Sequence, residues 1–162
     1  MYNAVKYYSD KEAASMAQTK YNDKLNASKV VQPKVNISSV GTKAVLPAYE
    51  YDKLIKTIPV GLVVTADKMR MFLAAKFKAM ECCPLTTNSA LMLVANASEE
   101  RNGVNPTPYW RVLKSDGGLN DKYPGGDAAQ KARLEAEGHA VVGEPGSYYL
   151  NDIYGKYFTF RM

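Results

Sequence analysis

The sequence is poor in the residues that carry most enzymatic chemistry. It has one histidine, His139, and two cysteines, the neighbours Cys82 and Cys83. Vicinal cysteines rarely bond each other, so no structural disulfide is expected and a reducing compartment fits. A Cys-Cys pair without further Cys or His at ligand spacing is not a metal site, and neither metal nor cofactor is expected. With one histidine, any Ser/His/Asp arrangement would have to run through His139. That residue follows Gly138 just past a predicted helix and reads as a surface residue. There is no phosphate-binding loop. No apolar run approaches the ~20 residues that span a bilayer. The first residues, Met1 to Lys6, lack the apolar core of a secretory signal. The expectation is an intracellular protein, in cytoplasm, nucleus or organelle alike.

Positive charge is scarce where a nucleic-acid-binding domain would place it. The net charge is +5 over 162 residues. Residues 1–48 hold seven lysines against Asp10, Glu12 and Asp23, whereas residues 49–162 hold fourteen cations against thirteen acids. The excess lies in the N-terminal arm. Phosphate neutralisation supplies most non-specific DNA affinity, so a nearly neutral domain argues against simple DNA binding.

The arm, residues 1–48, reads as a basic extension. Ser9-Asp10-Lys11-Glu12 matches a capping box and predicts a helix over residues 10–21 with a thin apolar face of Ala13, Met16 and Ala17. Asn22 to Pro47 is mixed polar, with an alternating Val35-Asn36-Ile37-Ser38 that predicts a short strand. By itself the arm reads as a disordered tail; if ordered, it lies against a partner, with RNA, other nucleic acid or acidic lipid suited to its charge.

From Tyr49 the pattern tightens. Glu50 to Thr57 predicts a helix with Tyr51, Leu54 and Ile55 on one face. Ile58-Pro59-Val60-Gly61 is a turn, Leu62-Val63-Val64 an extended run, and Thr65 an N-cap. The next helix sets Met69, Phe72, Leu73, Phe77 and Met80 at helical spacing, with Lys68, Arg70, Lys76 and Lys78 on other faces. After Pro84, Thr86 or Thr87 caps a second helix to about Ala97. Its run Leu91-Met92-Leu93-Val94 cannot all face inward, which makes Leu91, Met92 and Leu93 a candidate protein interface.

The most distinctive stretch is Asn105-Pro106-Thr107-Pro108-Tyr109-Trp110-Arg111-Val112-Leu113. Two prolines stiffen the approach to adjacent aromatics and an arginine, and an apolar strand start follows. Tyr123-Pro124-Gly125-Gly126 comes next, then a helix over residues 127–137. This order resembles the C-terminal domain of O6-alkylguanine-DNA alkyltransferases and the non-enzymatic alkyltransferase-like proteins. In the enzymes the stretch reads Pro-Cys-His-Arg-Val; the alkyltransferase-like proteins commonly carry tryptophan for the cysteine. The resemblance spans roughly residues 49–142. It implies a mainly α fold with a small β component, a winged-helix-like helix-turn-helix domain of the alkyltransferase type, flanked by the basic extension 1–48 and an aromatic extension 143–162. That last segment holds Tyr148, Tyr149, Tyr154, Tyr157, Phe158 and Phe160 and reads as a docking segment.

The resemblance also assigns roles. Tyr109 stands at the acceptor cysteine and Trp110 at the relay histidine, so nucleophile and base are both missing and a non-enzyme is expected. Tyr109, Arg111, Tyr123 and Gly125 are the candidate lesion pocket, with the phenol filling the cysteine's space and Arg111 held by nearby carbonyls. Asn105 and Glu137 are expected as structural hydrogen-bonders, Asn105 bridging the second helix and the loop. Two family features are absent: the tyrosine after the Ser/Thr cap is Ala66, and the arginine that fills the gap left by a flipped base is Ser89 or Asn88. Two readings follow. The favoured one is a fold reused as a structural or accessory subunit of a larger macromolecular assembly, with protein partners. The alternative is a sensor that binds duplex DNA carrying O6-alkylguanine and acts in repair.

Overall fold

Apolar residues at helical spacing dictate a helical core. The computed structural model describes residues 20–151 and 154–162. The capping box at Ser9 and Glu12, and the predicted helix as far as Thr19, lie outside them. Among the described residues, five helices run in order: α1 Lys20–Ala27, α2 Ala48–Ile55, α3 Ala66–Lys76, α4 Pro84–Glu100 and α5 Gly126–Ala136. Short strands join them: β1 Lys34–Ser38, β2 Gly41–Val45, β3 Val64–Thr65, β4 Glu81–Cys82, β5 Val112–Leu113, β6 Val141–Val142 and β7 Tyr149–Leu150. They form three small sheets, ordered β1-β2-β4, β3-β5 and β6-β7. The protein is mainly α with a small β component, and α3 and α4 form the helix-turn-helix. No helix among the described residues is long and apolar enough to cross a membrane.

Among the described residues, the buried apolar side chains form one cluster. Tyr51 and Ile55 of α2, Met69 and Leu73 of α3, Leu91 and Val94 of α4, and Leu134 of α5 meet Val112 and Leu113 of β5. Each such apolar side chain, fully buried, is worth about 1.5–3 kcal/mol. The Tyr51 hydroxyl remains satisfied inside by Thr87 Oγ1 at 2.8 Å, which avoids the cost of an orphaned buried polar group.

Helix ends differ from the sequence reading for identifiable reasons. α4 begins at Pro84 with Cys83 as its cap, three or four residues early, because a proline at the first helical position lacks only an N–H that would be orphaned anyway. The Thr86 and Thr87 hydroxyls instead turn back to the Cys83 carbonyl. α3 stops at Lys76 and does not reach Met80. Lys78 takes a left-handed φ of 55°, and the Lys78 and Ala79 amides return to the Ala75 and Ala74 carbonyls. This is a Schellman stop with lysine in the usual glycine position. Met80 is consequently exposed.

The arm is not a disordered tail from Lys20 onward. Leu25, Ala44 and Leu46 join the common core. The α1 amides of Tyr21 and Asn22 donate to the Glu100 carboxylate at 2.9 Å, a negative group at a helix N-terminus where the dipole favours it. The alternating segment is strand β1, as its pattern predicts, paired in a hairpin with β2. The C-terminal aromatic segment docks on its own domain: the Val63 N–H donates to the Lys156 carbonyl at 2.9 Å, the Phe158 N–H donates to the Val63 carbonyl at 2.8 Å, and Phe160 packs at 5.0 Å on Phe72.

Candidate functional site

The Asn105–Leu113 loop is anchored at its start by a buried polar knot. Thr107 N–H donates to Ser98 Oγ at 2.9 Å, and Ser98 Oγ donates back to the Thr107 carbonyl at 3.0 Å. The Thr107 hydroxyl donates to Asp52 at 2.6 Å and accepts from Arg101 at 2.7 Å. These bonds tie the loop to α2 and to the end of α4. Asn105 does not make the bridge expected of it. It is exposed, sits in the left-handed region at φ 46°, and the Ser98–Thr107 pair does that work.

Past Pro108 the chain makes one 3-10 turn, Tyr109–Arg111, and all three side chains turn inward. Tyr109 is 2% exposed. Its hydroxyl donates to Glu99 at 2.9 Å, and its ring packs edge-on against Trp110 at 5.5 Å and Tyr123 at 5.0 Å. Burial, reinforced by the Glu99 carboxylate, pushes the phenol well above its ordinary pKa, so it stays protonated. Burial does the same to Tyr123, whose hydroxyl donates to the Val112 carbonyl at 3.2 Å. Arg133 closes the outside: it pairs with Glu99 at 2.6 Å, and its guanidinium lies 4.5 Å from the Trp110 ring centre.

Glu137 cements the other flank. Its carboxylate accepts from Trp110 Nε1 at 2.8 Å, from Arg111 Nη2 at 2.7 Å and from Arg111 Nε at 3.0 Å. Burial alone would raise the Glu137 pKa, but the bonds from Arg111 and Trp110 outweigh it and hold the carboxyl below its ordinary range. Arg111 also donates to the Ile58 carbonyl at 2.6 Å. One carbonyl and one carboxylate therefore hold it, where carbonyls alone were expected. Gln130 donates to the Trp110 and Val112 carbonyls and accepts from the Asn120 amide. Gly125 is the N-cap residue of α5, at φ +78°, and a Cβ there would meet the Ala129 Cβ at 2.7 Å, so only glycine suits this corner.

The assembled site brings Tyr109, Trp110, Arg111, Tyr123 and Glu137 together. It offers donors that are already engaged: a protonated phenol, an indole N–H and a guanidinium. Two ion pairs, Arg111–Glu137 and Arg133–Glu99, balance its charge. His139 is buried, contrary to the surface position read for it. Neither ring nitrogen has a hydrogen-bond partner among the described residues, and burial lowers its pKa. Burial raises the Cys82 thiol to about 11. A cleft of about 470 Å³ lies between α3 and the C-terminal segment, lined by Asp67, Phe72 and Tyr157 among others and by no residue of the 105–113 loop.

The run proposed as an interface is mostly inward. Leu91 is 2% exposed, and Met92 and Leu93 are half-buried against the core. The helical period solves the apparent conflict, because α4 packs against α1, α2 and α3 at once and so buries more than one stripe. What α4 presents outward is Leu85, Asn88 and Ser89. Sequence reasoning missed Asp52, Ser98, Glu99, Thr107 and Gln130. Their partners lie up to 55 residues away, and a lone polar residue on an apolar helix face was the only available sign.

No protein-family model matches the chain, and no curated protein matches its sequence. Two solved structures are similar. One is the crystal structure of S. pombe Atl1 in complex with damaged DNA containing O6-carboxymethylguanine, 18% identical, with 69% of this chain and 94% of that chain covered and a TM-score of 0.46. The other is S. pombe ATL in complex with DNA, 19% identical, with the same coverage and TM-score.

Proposed function

We propose that this chain is a non-catalytic domain of the alkyltransferase-like type that docks on duplex DNA through α4 and senses O6-alkylated guanine. The observation that carries this reading is the outward face of α4. With Leu91 and Val94 turned into the core, the helix offers Asn88 and Ser89 to solvent. Short uncharged polar residues allow close approach to a groove and can hydrogen-bond to base edges. The preceding helix and its terminal turn carry Lys68, Lys76 and Lys78, all exposed, where a helix-turn-helix sets its first helix across the phosphates. The Pro108-Tyr109-Trp110-Arg111-Val112 signature, Gly125 and Glu137 agree with it. Without thiolate or free base, the Tyr109 site has no means of alkyl transfer.

Admitting a flipped base requires Tyr109 to leave Glu99 and vacate the space between Trp110 and Tyr123. Trp110, the only tryptophan, is a built-in reporter of that movement. The reading as a structural subunit loses one of its supports, Leu91, Met92 and Leu93 as an exposed patch; Ala66, Ser89, the nearly neutral domain, the two extensions and the packed state of Tyr109 still favour it. One experiment separates the two: fluorescence anisotropy on a duplex with one O6-methylguanine and on its unmodified twin, at two salt concentrations. The proposal expects tighter binding to the lesion by at least about tenfold, roughly 1.4 kcal/mol. It expects a slope of log K on log salt of about −3, for three phosphate-contacting lysines. Equal affinity for both duplexes would refute sensing, and no binding to either would refute the DNA reading altogether.

A further inference from the structure

Among the described residues, strand β1 is an uncovered sheet edge. It lies outermost in the order β1-β2-β4, and all five of its residues are exposed, Ile37 at 85%. Proteins normally guard such an edge with proline, a bulge or central charges, because its free N–H and C=O groups template pairing with another chain. Here Pro33 precedes the strand and none falls within it. The register with β2 runs unbroken from Lys34↔Val45 to Ser38↔Gly41, and the single charge, Lys34, stands at one end.

Which backbone groups are free follows from the hairpin. A two-residue connection, Ser39-Val40, closes on the Ser38–Gly41 pair, and such a closing pair exchanges its hydrogen bonds. Alternation then points the N–H and C=O groups of Ser38, Asn36 and Lys34 toward β2. Those of Val35 and Ile37 point away from it.

We propose that β1 pairs antiparallel with β1 of a second copy, about a two-fold axis through Asn36, joining two three-stranded sheets into one of six strands. In this register Val35 lies opposite Ile37 of the other copy, and the two residues with free backbone groups exchange hydrogen bonds. Asn36 faces its own counterpart as a non-hydrogen-bonded pair. Lys34 faces Ser38, so no like charges oppose. A parallel in-register pairing would set Lys34 against Lys34, which disfavours it. The sequence Lys34-Val35-Asn36-Ile37-Ser38 is in effect palindromic in β-branched residues about Asn36, which is why a second copy fits better than an arbitrary strand. The contact is isologous, the usual closed form for a homodimer, and it leaves α4 uninvolved.

Sedimentation of the full chain over a range of concentrations tests this. The mass should rise from 17.9 kDa toward twice that value. Ile37→Pro removes one outward N–H without touching the bonds to β2 and should stay monomeric throughout; Ile37→Asp should do the same with the backbone intact. In a Cys83→Ser background, Asn36→Cys should cross-link across the axis on mild oxidation, because Cα atoms of a non-hydrogen-bonded pair lie about 4.5 Å apart, within disulfide reach. Lys34→Cys should not. A wild type that remains monomeric at every concentration would overturn the proposal. So would a dimer that survives both Ile37 variants, or one that cross-links at residue 34 and not at 36.

Discussion

Replacing Glu137 by glutamine is the sharpest probe of what holds the Tyr109–Arg111 turn. The carboxylate accepts hydrogen bonds from Trp110 and twice from Arg111, and the Arg111 and Glu137 side chains are 10% and 11% exposed. The amide keeps the volume and one acceptor oxygen but removes the charge, which leaves a guanidinium buried without its counter-ion. Breaking a buried pair from one side costs about 3–5 kcal/mol. The lower end applies, because both side chains keep a tenth of their surface in water. For a chain of this size about 3 kcal/mol lowers the melting midpoint by roughly 6–12 °C. Urea unfolding at pH 7, followed by Trp110 fluorescence, reads the loss directly. The same bond has a pH signature. The folded pKa of Glu137 lies below its ordinary value, so its stabilisation is complete above about 4.3 and drains away as pH falls through the lower folded value. Glu137→Gln should flatten that acid limb. A double replacement, Arg111→Met with Glu137→Leu, should recover most of the lost stability, since apolar isosteres of a buried pair are often near neutral. If Glu137→Gln falls within 1 kcal/mol of wild type, or the acid limb is unchanged, the view of Glu137 as the clamp is wrong.

Other perturbations give independent checks. Lys78→Gly should stabilise the chain by about 0.5–1 kcal/mol in urea unfolding, because glycine takes the left-handed position without strain. Leu91→Ala should cost about 2–5 kcal/mol, whereas Leu85→Ala on the exposed side should fall within about 0.5 kcal/mol; equal effects would restore an outward Leu91. His139 is buried with a lowered pKa, so its neutral form stabilises the fold above about pH 6.5 and that contribution is lost on acidification. His139→Leu should remove the stability loss between pH 7 and pH 5. Tyr51, Tyr109 and Tyr123 all have raised pKa values, Tyr51 to about 12. Phenolate absorbance should therefore show three tyrosines silent near pH 10, appearing only as alkali unfolds the chain.

Local signals in the sequence were reliable where the physics is local. Apolar spacing located α2 and α3 to within a few residues, the charged stretch after the Tyr123–Gly126 loop located α5 to within one, and alternation located β1. The Asn105–Val112 motif marked a loop that does bury Tyr109, Trp110 and Arg111 together. What escaped is what depends on distant partners. Asp52 looks like an ordinary polar residue of α2 until Thr107 arrives from across the fold. His139 looks superficial because it follows a helix-ending glycine, yet its amide turns back to the Leu134 carbonyl and the residue is buried. The Leu91–Leu93 run looked too apolar for one helix face, because nothing in residues 20–48 announces that α1 will cover a second face of α4.

Glu99 and Glu100 end α4 as neighbours with opposite duties. Glu99 holds the Tyr109 hydroxyl and Arg133, and Glu100 grips the first amides of α1. One helical turn is thus the common footing of the aromatic corner and of α1. Arg101, just past it, reaches both Asn22 of α1 and Thr107 of the loop, so a substitution that displaces the end of α4 disturbs both sets of contacts together.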